Sequence, residues 1–155
     1  MGPYEEIEVD SQKLIELGER MAEAFNSSDW GSYSAAMTND TLYESPRAQA
    51  RGPEQILEFV KGVKVAYPDM KATATNVLTC GNTLVRELTW EGTNSGPLTT
   101  PQGTIPPTNR RITFKGVVLL EALDDGAVVA IREYYDRAAI MAQMGTGASA
   151  PAATG

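Results

Sequence analysis

The chain has 155 residues, of which 42% are hydrophobic and 21% charged, and its formal net charge is −7. This length suits one domain with a single sizeable core, and the acidic balance makes nucleic acid and acidic membrane surfaces poor partners. No apolar run approaches the roughly 20 residues that a membrane span requires, and the acidic first residues do not resemble a targeting peptide. Together with the single cysteine, Cys80, these features lead us to expect a cytoplasmic protein.

The chain contains no histidine. This excludes the Ser-His-Asp and Cys-His forms of nucleophilic catalysis, and it argues against zinc and non-haem iron sites. The sequence also lacks the common glycine-rich phosphate loops. Acid–base chemistry would therefore depend on carboxylates, tyrosines or lysines, and we expect neither a metal nor a cofactor.

The first half of the chain is predicted to be mainly helical. Residues 1–9 are expected to form a loosely attached arm. An apolar stripe then predicts a helix over about residues 11–26, with Asp10 or Ser11 as its N-cap. Asp29 is placed to cap a short second helix. Pro53 is placed to open a third helix, which would end at Pro68.

Strands make up most of the second half. After a short strand at residues 42–45, alternating patterns predict longer strands at residues 71–78 and 83–92. The proline-rich residues 94–109 are expected to form a loop over the sheet or at its rim. A closing helix would begin after Asp136 as its N-cap, and residues 146–155 would be a disordered tail.

Helices followed by hairpin-connected strands indicate the α+β class. We expect one domain over residues 10–145, with a curved, mainly antiparallel sheet that forms a cone. Three N-terminal helices and a short C-terminal helix would close this cone around an internal pocket.

The long hairpin in residues 110–145 contains a carboxylate within an apolar strand. A three-residue turn at residues 124–126 would place Glu133, Leu119 and Tyr135 on one face of the hairpin. A two-residue turn would shift the pairing by one residue and move Glu133 to the other face of the first strand. Both faces are largely apolar, so one is expected to face the pocket and the other to form a dimer interface.

Apolar and aromatic neighbours surround Glu133 in either register. Burial in such surroundings raises a carboxyl pKa, so this group could act as a general acid or base near neutral pH. The alternative is a structural role, either in a salt bridge with Lys115 or Arg86 or at a solvated sheet edge. Glu121, close to the turn, is expected to be solvated.

Four segments carry a resemblance to a known family: GPEQILEFVKGVKVAYPDM, WEGTNSGPL, IPPTNRRITFKGV and YYDRAAIMAQMG. Together they resemble the SnoaL-like polyketide cyclases, within the nuclear transport factor 2-like fold group. The resemblance extends over residues 11–145. It implies a cone with a deep apolar pocket for a small-molecule ligand, and commonly a homodimer.

The resemblance also implies a role for Glu133. In these cyclases an aspartate on the last strand is the acid/base of an intramolecular aldol condensation, and the motif Glu133-Tyr134-Tyr135-Asp136 carries that role to Glu133. The cyclases have a histidine on the preceding strand, where this chain has Leu119. Asn94 stands where they have the histidine of a strand end GTH.

Two other groups of the same fold are similar to parts of the chain. Ketosteroid isomerases resemble residues 42–46, but Ser45 occupies the position of their catalytic aspartate. Limonene epoxide hydrolases pair an arginine with an aspartate two residues later, whereas here Arg86 is followed by Leu88. Their first-strand tyrosine and asparagine correspond loosely to Tyr43 and Ser45.

These considerations favour a cofactor-independent enzyme that cyclises or isomerises an apolar, carbonyl-bearing, polyketide-like molecule. One alternative is a non-catalytic module of the same fold that binds an apolar ligand or docks a partner, and another is an epoxide-hydrolase-like enzyme. For the enzyme, the expected catalytic residue is Glu133, and the expected substrate-binding residues are Tyr43, Ser45, Trp90, Asn94, Leu119 and Tyr135.

Overall fold

The computed structural model describes residues 10–145, so the predicted arm and tail lie outside the described residues. The helices are α1 (Ser11–Ser27), α2 (Trp30–Ser34), α3 (Gly52–Ala66) and α4 (Arg137–Met144). The strands are β1 (Met37–Glu44), β2 (Gln49–Arg51), β3 (Lys71–Cys80), β4 (Thr83–Thr93), β5 (Leu98–Thr100), β6 (Gly103–Ile105), β7 (Arg111–Ala122) and β8 (Val128–Tyr135). Within this described part, no helix is long and apolar enough to cross a membrane.

The predicted α+β architecture is confirmed. In the described residues, one sheet has six strands in the order β2-β1-β8-β7-β4-β3, and β5 and β6 form a separate two-stranded sheet. Neighbouring strands of the large sheet are antiparallel, apart from β1 and β8, which run parallel. The sheet is curved; helices α1, α3 and α4 pack against it, and the short α2 packs against α1 and α3.

The predicted helix caps are formed by the expected side chains. The carboxylates of Asp10, Asp29 and Asp136 accept hydrogen bonds from backbone N–H groups in the first turns of α1, α2 and α4. Pro53 lies in the first turn of α3, where the missing N–H costs no helical hydrogen bond. Gly145 adopts a left-handed conformation, with φ of 73°, at the end of α4.

Helix α1 crosses β4 closely because it carries a glycine at the contact. A Cβ atom at Gly18 would overlap the Leu84 side chain and press on Arg86. The close approach lets the Arg86 guanidinium donate a hydrogen bond to the Gly18 carbonyl at 2.9 Å. This hydrogen bond connects Arg86, on the inner face of the sheet, to α1.

A β-bulge sets the register of the β7–β8 hairpin. The predicted contact between Leu123 and Ala127 forms, with a 2.9 Å hydrogen bond from the Leu123 N–H to the Ala127 carbonyl. The ladder then shifts around Val129, which lies between the pairs Ala122–Val128 and Glu121–Ala130. An extra residue on one strand exchanges the two faces beyond it.

The first predicted register is therefore wrong beyond the turn. Glu133 pairs with Val118, and Leu119 pairs with Arg132 on the opposite face. Glu133 shares the inner face with Val118 and Tyr135, as the alternative register required, although a bulge rather than a two-residue turn causes the shift.

The segment 94–109 is more ordered than the predicted loop. Its central residues form the β5–β6 hairpin, with Thr99 opposite Thr104. Leu98 is buried, at 3% relative exposure, and packs in the same core cluster as Ala66, the last residue of α3. The hairpin therefore closes one side of the space between the sheet and the helices.

Candidate active site

A mainly apolar cavity lies between the inner face of the sheet and the helices. Its lining includes residues of α1, α3 and α4, of the inner sheet face and of the β5–β6 hairpin. The cavity has a volume of about 130 Å³, which is roughly ten times the volume that one buried water needs. A cavity of this size and character suits an apolar small molecule.

Glu133 projects into this cavity from the middle of β8. Among the described residues that line the cavity, it is the only one with a carboxylate. Burial raises the pKa of Glu133 to about 7, although the Tyr43 hydroxyl, acting as a hydrogen-bond donor, lowers it in part. Near neutral pH the carboxyl is therefore present in both protonation states.

Glu133 does not form a salt bridge with Lys115 or Arg86, which was the alternative to a catalytic role. Within residues 10–145 the carboxylate takes part in no ion pair. Lys115 is exposed on the outer face, where it pairs with Thr89 of β4. Arg86 lines the cavity but donates to the Gly18 carbonyl rather than to a carboxylate. Neither predicted salt bridge forms.

Three tyrosines line the cavity around Glu133: Tyr33 from α2, Tyr43 from β1 and Tyr135 from β8. Burial raises the pKa of all three, and the nearby Glu133 carboxylate raises it further. All three hydroxyls therefore stay protonated at physiological pH and serve as hydrogen-bond donors.

Tyr33 is the member of this group that sequence reasoning missed. Its pattern with Trp30 on a short helix was typical of a core residue, and the structure indeed buries it to 7% relative exposure. Its position beside Glu133 depends on how α2 packs against α1 and α3, and the α3 contact is distant in sequence. The one available signal was the hydroxyl itself, because a buried tyrosine usually needs a polar partner.

Trp90 and Tyr135 belong to an aromatic wall of the cavity. The Trp90 ring stacks on Phe114 with centroids 5.0 Å apart, and Tyr135 meets Phe114 at 5.4 Å. Gly116 makes room for this wall, because a Cβ atom there would lie 2.8 Å from the Trp90 ring. Trp90 therefore both packs the core and presents a surface to the cavity.

Ser45 lies outside the cavity lining, and its side chain forms hydrogen bonds within the turn after β1. Its hydroxyl oxygen accepts hydrogen bonds from the backbone N–H groups of Arg47 and Ala48, each at 3.2 Å. The same hydroxyl also lies close enough to Tyr135 to lower that group's pKa by hydrogen bonding. Ser45 therefore stabilises the turn after β1 and lies beside Tyr135, but it does not line the cavity.

Asn94 is fully buried but also lies outside the cavity lining. Its amide nitrogen donates to the carbonyls of Ala66 and Gly96, and its amide oxygen accepts from both the N–H and the hydroxyl of Thr108. The protein thus uses both donors and both acceptor sites, and no capacity remains for a ligand. Asn94 fastens the 94–109 segment to the end of α3.

Leu119 lies on the outer face of the sheet, opposite Val85 and Arg132, and not in the cavity. The bulge at Val129 is the reason, since it exchanges the faces beyond the turn. Val118 takes the place in the cavity wall that was expected for Leu119. The prediction for Glu121 also needs correction, because Glu121 is half-buried in a 3.2 Å ion pair with Arg132.

The site combines a carboxyl of intermediate protonation with neutral hydroxyl donors in an apolar enclosure. Such a carboxyl can accept or donate a proton near pH 7, and the hydroxyls can stabilise negative charge that develops on a bound oxygen. The fold and the site therefore define a small α+β protein whose sheet and helices enclose an apolar pocket with one carboxyl group in its described lining.

Comparison with known families places the chain within this class. The profile of the SnoaL-like polyketide cyclase family matches residues 15–144. The chain belongs to this family. A search of curated proteins found no match.

Solved structures share the fold at low sequence identity. A candidate SnoaL-like polyketide cyclase from Jannaschia sp. CCS1 is 20% identical, with a TM-score of 0.77 and coverage of 93% of this chain and 97% of that one. AclR, a candidate hydroxylase from Streptomyces galilaeus, is 18% identical, with a TM-score of 0.75 and coverage of 88% and 98%. An LEH-like epoxide hydrolase from M. tuberculosis is 18% identical, with a TM-score of 0.66 and coverage of 88% and 92%. At these identities the likeness concerns the fold.

Proposed function

We propose that the protein is a cofactor-independent enzyme in which Glu133 acts as acid and base on an apolar, carbonyl-bearing molecule. The reaction is a cyclisation or an isomerisation of a polyketide-like substrate. The main support is the state of Glu133, the only carboxylate in the described cavity lining, without a cationic partner and with a pKa of about 7. The proposed reaction type is supported by the family to which the chain belongs, which is described as SnoaL-like polyketide cyclases.

In this mechanism the Glu133 carboxylate removes a proton from the carbon next to the substrate carbonyl. The resulting enolate oxygen accepts hydrogen bonds from the hydroxyls of Tyr43 and Tyr33, whose raised pKa values keep them protonated. In an isomerisation, Glu133 returns the proton to another carbon. In a cyclisation, the enolate carbon attacks a second carbonyl, and Glu133 protonates the new alkoxide.

Hydrogen–deuterium exchange at carbon tests the first step without knowledge of the natural substrate. The protein would be incubated in D₂O with a panel of polycyclic ketones and 1,3-diketones, and deuterium uptake would be followed by mass spectrometry. We expect catalysed uptake for at least one compound, and Glu133→Gln should lower its rate by at least about 100-fold, the usual scale of general acid–base catalysis.

Glu58→Gln is the matched control, because Glu58 is an exposed carboxylate on α3 outside the cavity lining. It should keep the full exchange rate. Circular dichroism would establish that both variants are folded. Equal exchange in wild type and Glu133→Gln, or exchange with no compound of the panel, would count against the proposal.

A non-catalytic binding module is the second candidate, and the apolar character of the cavity favours it. In that case compounds would bind without exchange, and Glu133→Gln would not reduce their affinity. The epoxide hydrolase alternative has less support, because the described lining provides one carboxylate and Leu88 stands where a second would be needed.

The homodimer and the cytoplasmic location stay predictions. Three large apolar residues on the outer face of the sheet give the dimer some support. Leu42, Leu78 and Tyr134 are 43%, 56% and 55% exposed, respectively. Burial of such side chains in an interface between two copies would remove apolar surface from water.

A further inference from the structure

Three arginines line the cavity of a chain whose formal net charge is −7. Arg86 is committed to the Gly18 carbonyl. Arg47 and Arg137, by contrast, form no ion pair with any residue in the range 10–145. Both residues are half-buried and line the cavity wall, so their guanidinium groups are available to a ligand in the cavity.

Arg47 is held in place by the turn between β1 and β2. Its backbone N–H donates to the Ser45 hydroxyl, and its guanidinium carbon lies 5.5 Å from the centroid of the Phe59 ring. Phe59 is itself part of the cavity lining. A cation stacked on an aromatic face keeps its N–H edges free for planar hydrogen bonding to a ligand.

Arg137 is the first residue of α4, directly after the N-cap Asp136. A cation at this end of a helix is opposed by the helix dipole, so helix stability does not account for an arginine here. Its side chain lines the same cavity as Arg47.

The two arginines act on the same end of the cavity. Both guanidinium groups are close enough to Tyr135 to lower its pKa, and Arg47 also lowers that of Tyr67. Tyr135 lies two residues after Glu133 on the inner face of β8. A positively charged end of the cavity is therefore adjacent to the carboxyl site but distinct from it.

We propose that the ligand carries a carboxylate, which Arg47 and Arg137 bind while the apolar body of the ligand extends along the aromatic wall toward Glu133. The planar guanidinium fork matches a carboxylate in a two-bond geometry, and the apolar surroundings strengthen the pairing. This inference rests on the proposed function, since it gives the substrate class of the same site: an apolar acid rather than a neutral polyketide.

The test compares matched acids and esters by isothermal titration calorimetry at pH 7.5. The probes are 2-naphthoic acid, anthracene-2-carboxylic acid and 4-phenylbenzoic acid, each with its methyl ester. At least one acid should bind about tenfold or more tightly than its ester, since one charge-assisted hydrogen-bonded pair commonly contributes that factor. Arg47→Gln and Arg137→Gln should each remove most of this preference and leave ester binding nearly unchanged.

Arg51→Gln is the matched control, because it removes the same charge from an exposed arginine outside the cavity lining. It should leave the acid preference intact. Arg47→Lys keeps the charge without the planar fork, and it should bind the acid with intermediate affinity. A variant that fails to fold would be recognised by circular dichroism, and the other arginine would then carry the test.

The proposal is overturned if no acid binds more tightly than its ester, a result that includes no detectable binding of any acid. It is also overturned if the arginine variants weaken acids and esters equally. The outcome is separate from that of the exchange experiment. Loss of the acid preference would leave the Glu133 chemistry standing, and an inactive Glu133 would leave the binding result valid.

Discussion

Two glutamates of the β7–β8 hairpin lie on opposite faces of the sheet and have opposite surroundings. Glu121, on the outer face, is half-buried and forms a 3.2 Å ion pair with Arg132 of the neighbouring strand. Glu133, on the inner face, projects into an apolar cavity and has three tyrosine hydroxyls nearby instead of a cation.

The contrast shows that this sheet can provide a cross-strand arginine for a carboxylate. The inner position lacks such a partner although Arg86 lines the same cavity, since α1 engages that guanidinium. A buried carboxylate without a partner costs folding free energy and tends to become protonated. A carboxyl group with a perturbed pKa in a cavity is a candidate functional group, which is the basis of the proposed role of Glu133.

The largest expected effect is on the pH dependence of stability. In the folded protein the pKa of Glu133 is about 7, whereas an unfolded glutamate titrates near 4.3. The folded state therefore holds this proton more tightly. The stabilisation is complete below about pH 4 and is lost as the pH rises through 7, with a total of roughly 4 kcal/mol.

Urea denaturation of wild type and Glu133→Gln at several pH values checks this expectation. The free energy of unfolding of wild type, relative to that of the variant, should fall by roughly 3 kcal/mol between pH 4 and pH 8. Glu58→Gln serves as the exposed control and should follow the wild-type curve. A constant difference between wild type and Glu133→Gln would contradict the unpaired state of Glu133.

A smaller effect is expected on the outer face. A double-mutant cycle with Glu121→Gln and Arg132→Gln should give a coupling energy of about 1 kcal/mol or less, because the pair is partly solvated. Neither variant should alter deuterium exchange or ligand binding in the cavity. A coupling of several kcal/mol would show that the outer ion pair, and not the cavity, holds the dominant electrostatic interaction of the hairpin.

Local chemistry made much of the fold predictable. The caps at Asp10, Asp29 and Asp136 and the helix-opening Pro53 are short-range signals, and each one forms as expected. The alternating pattern of β4 puts Arg86, Leu88 and Trp90 on one face of the strand, and all three line the cavity. For Glu133, apolar neighbours on the strand were enough to predict burial and a raised pKa.

The parts that could not be predicted depend on contacts distant in sequence. A single extra residue at Val129 exchanged the faces of Leu119 and Val118, and no local pattern marked it. The polar role of Tyr33 follows from the packing of α2 against α1 and α3, which places the hydroxyl near Glu133. Asn94 resembled a ligand-binding residue at a strand end, but its four hydrogen bonds are made by chain segments that meet only in the folded protein.

The most direct test of the account is the pKa of the Glu133 carboxyl, measured by NMR with ¹³C-labelled glutamate. The resonance would be assigned by its loss in Glu133→Gln. We predict a midpoint near 7, moved higher in Tyr43→Phe because the hydroxyl that favours the carboxylate is gone. A midpoint near 4.3, the ordinary glutamate value, would contradict the account.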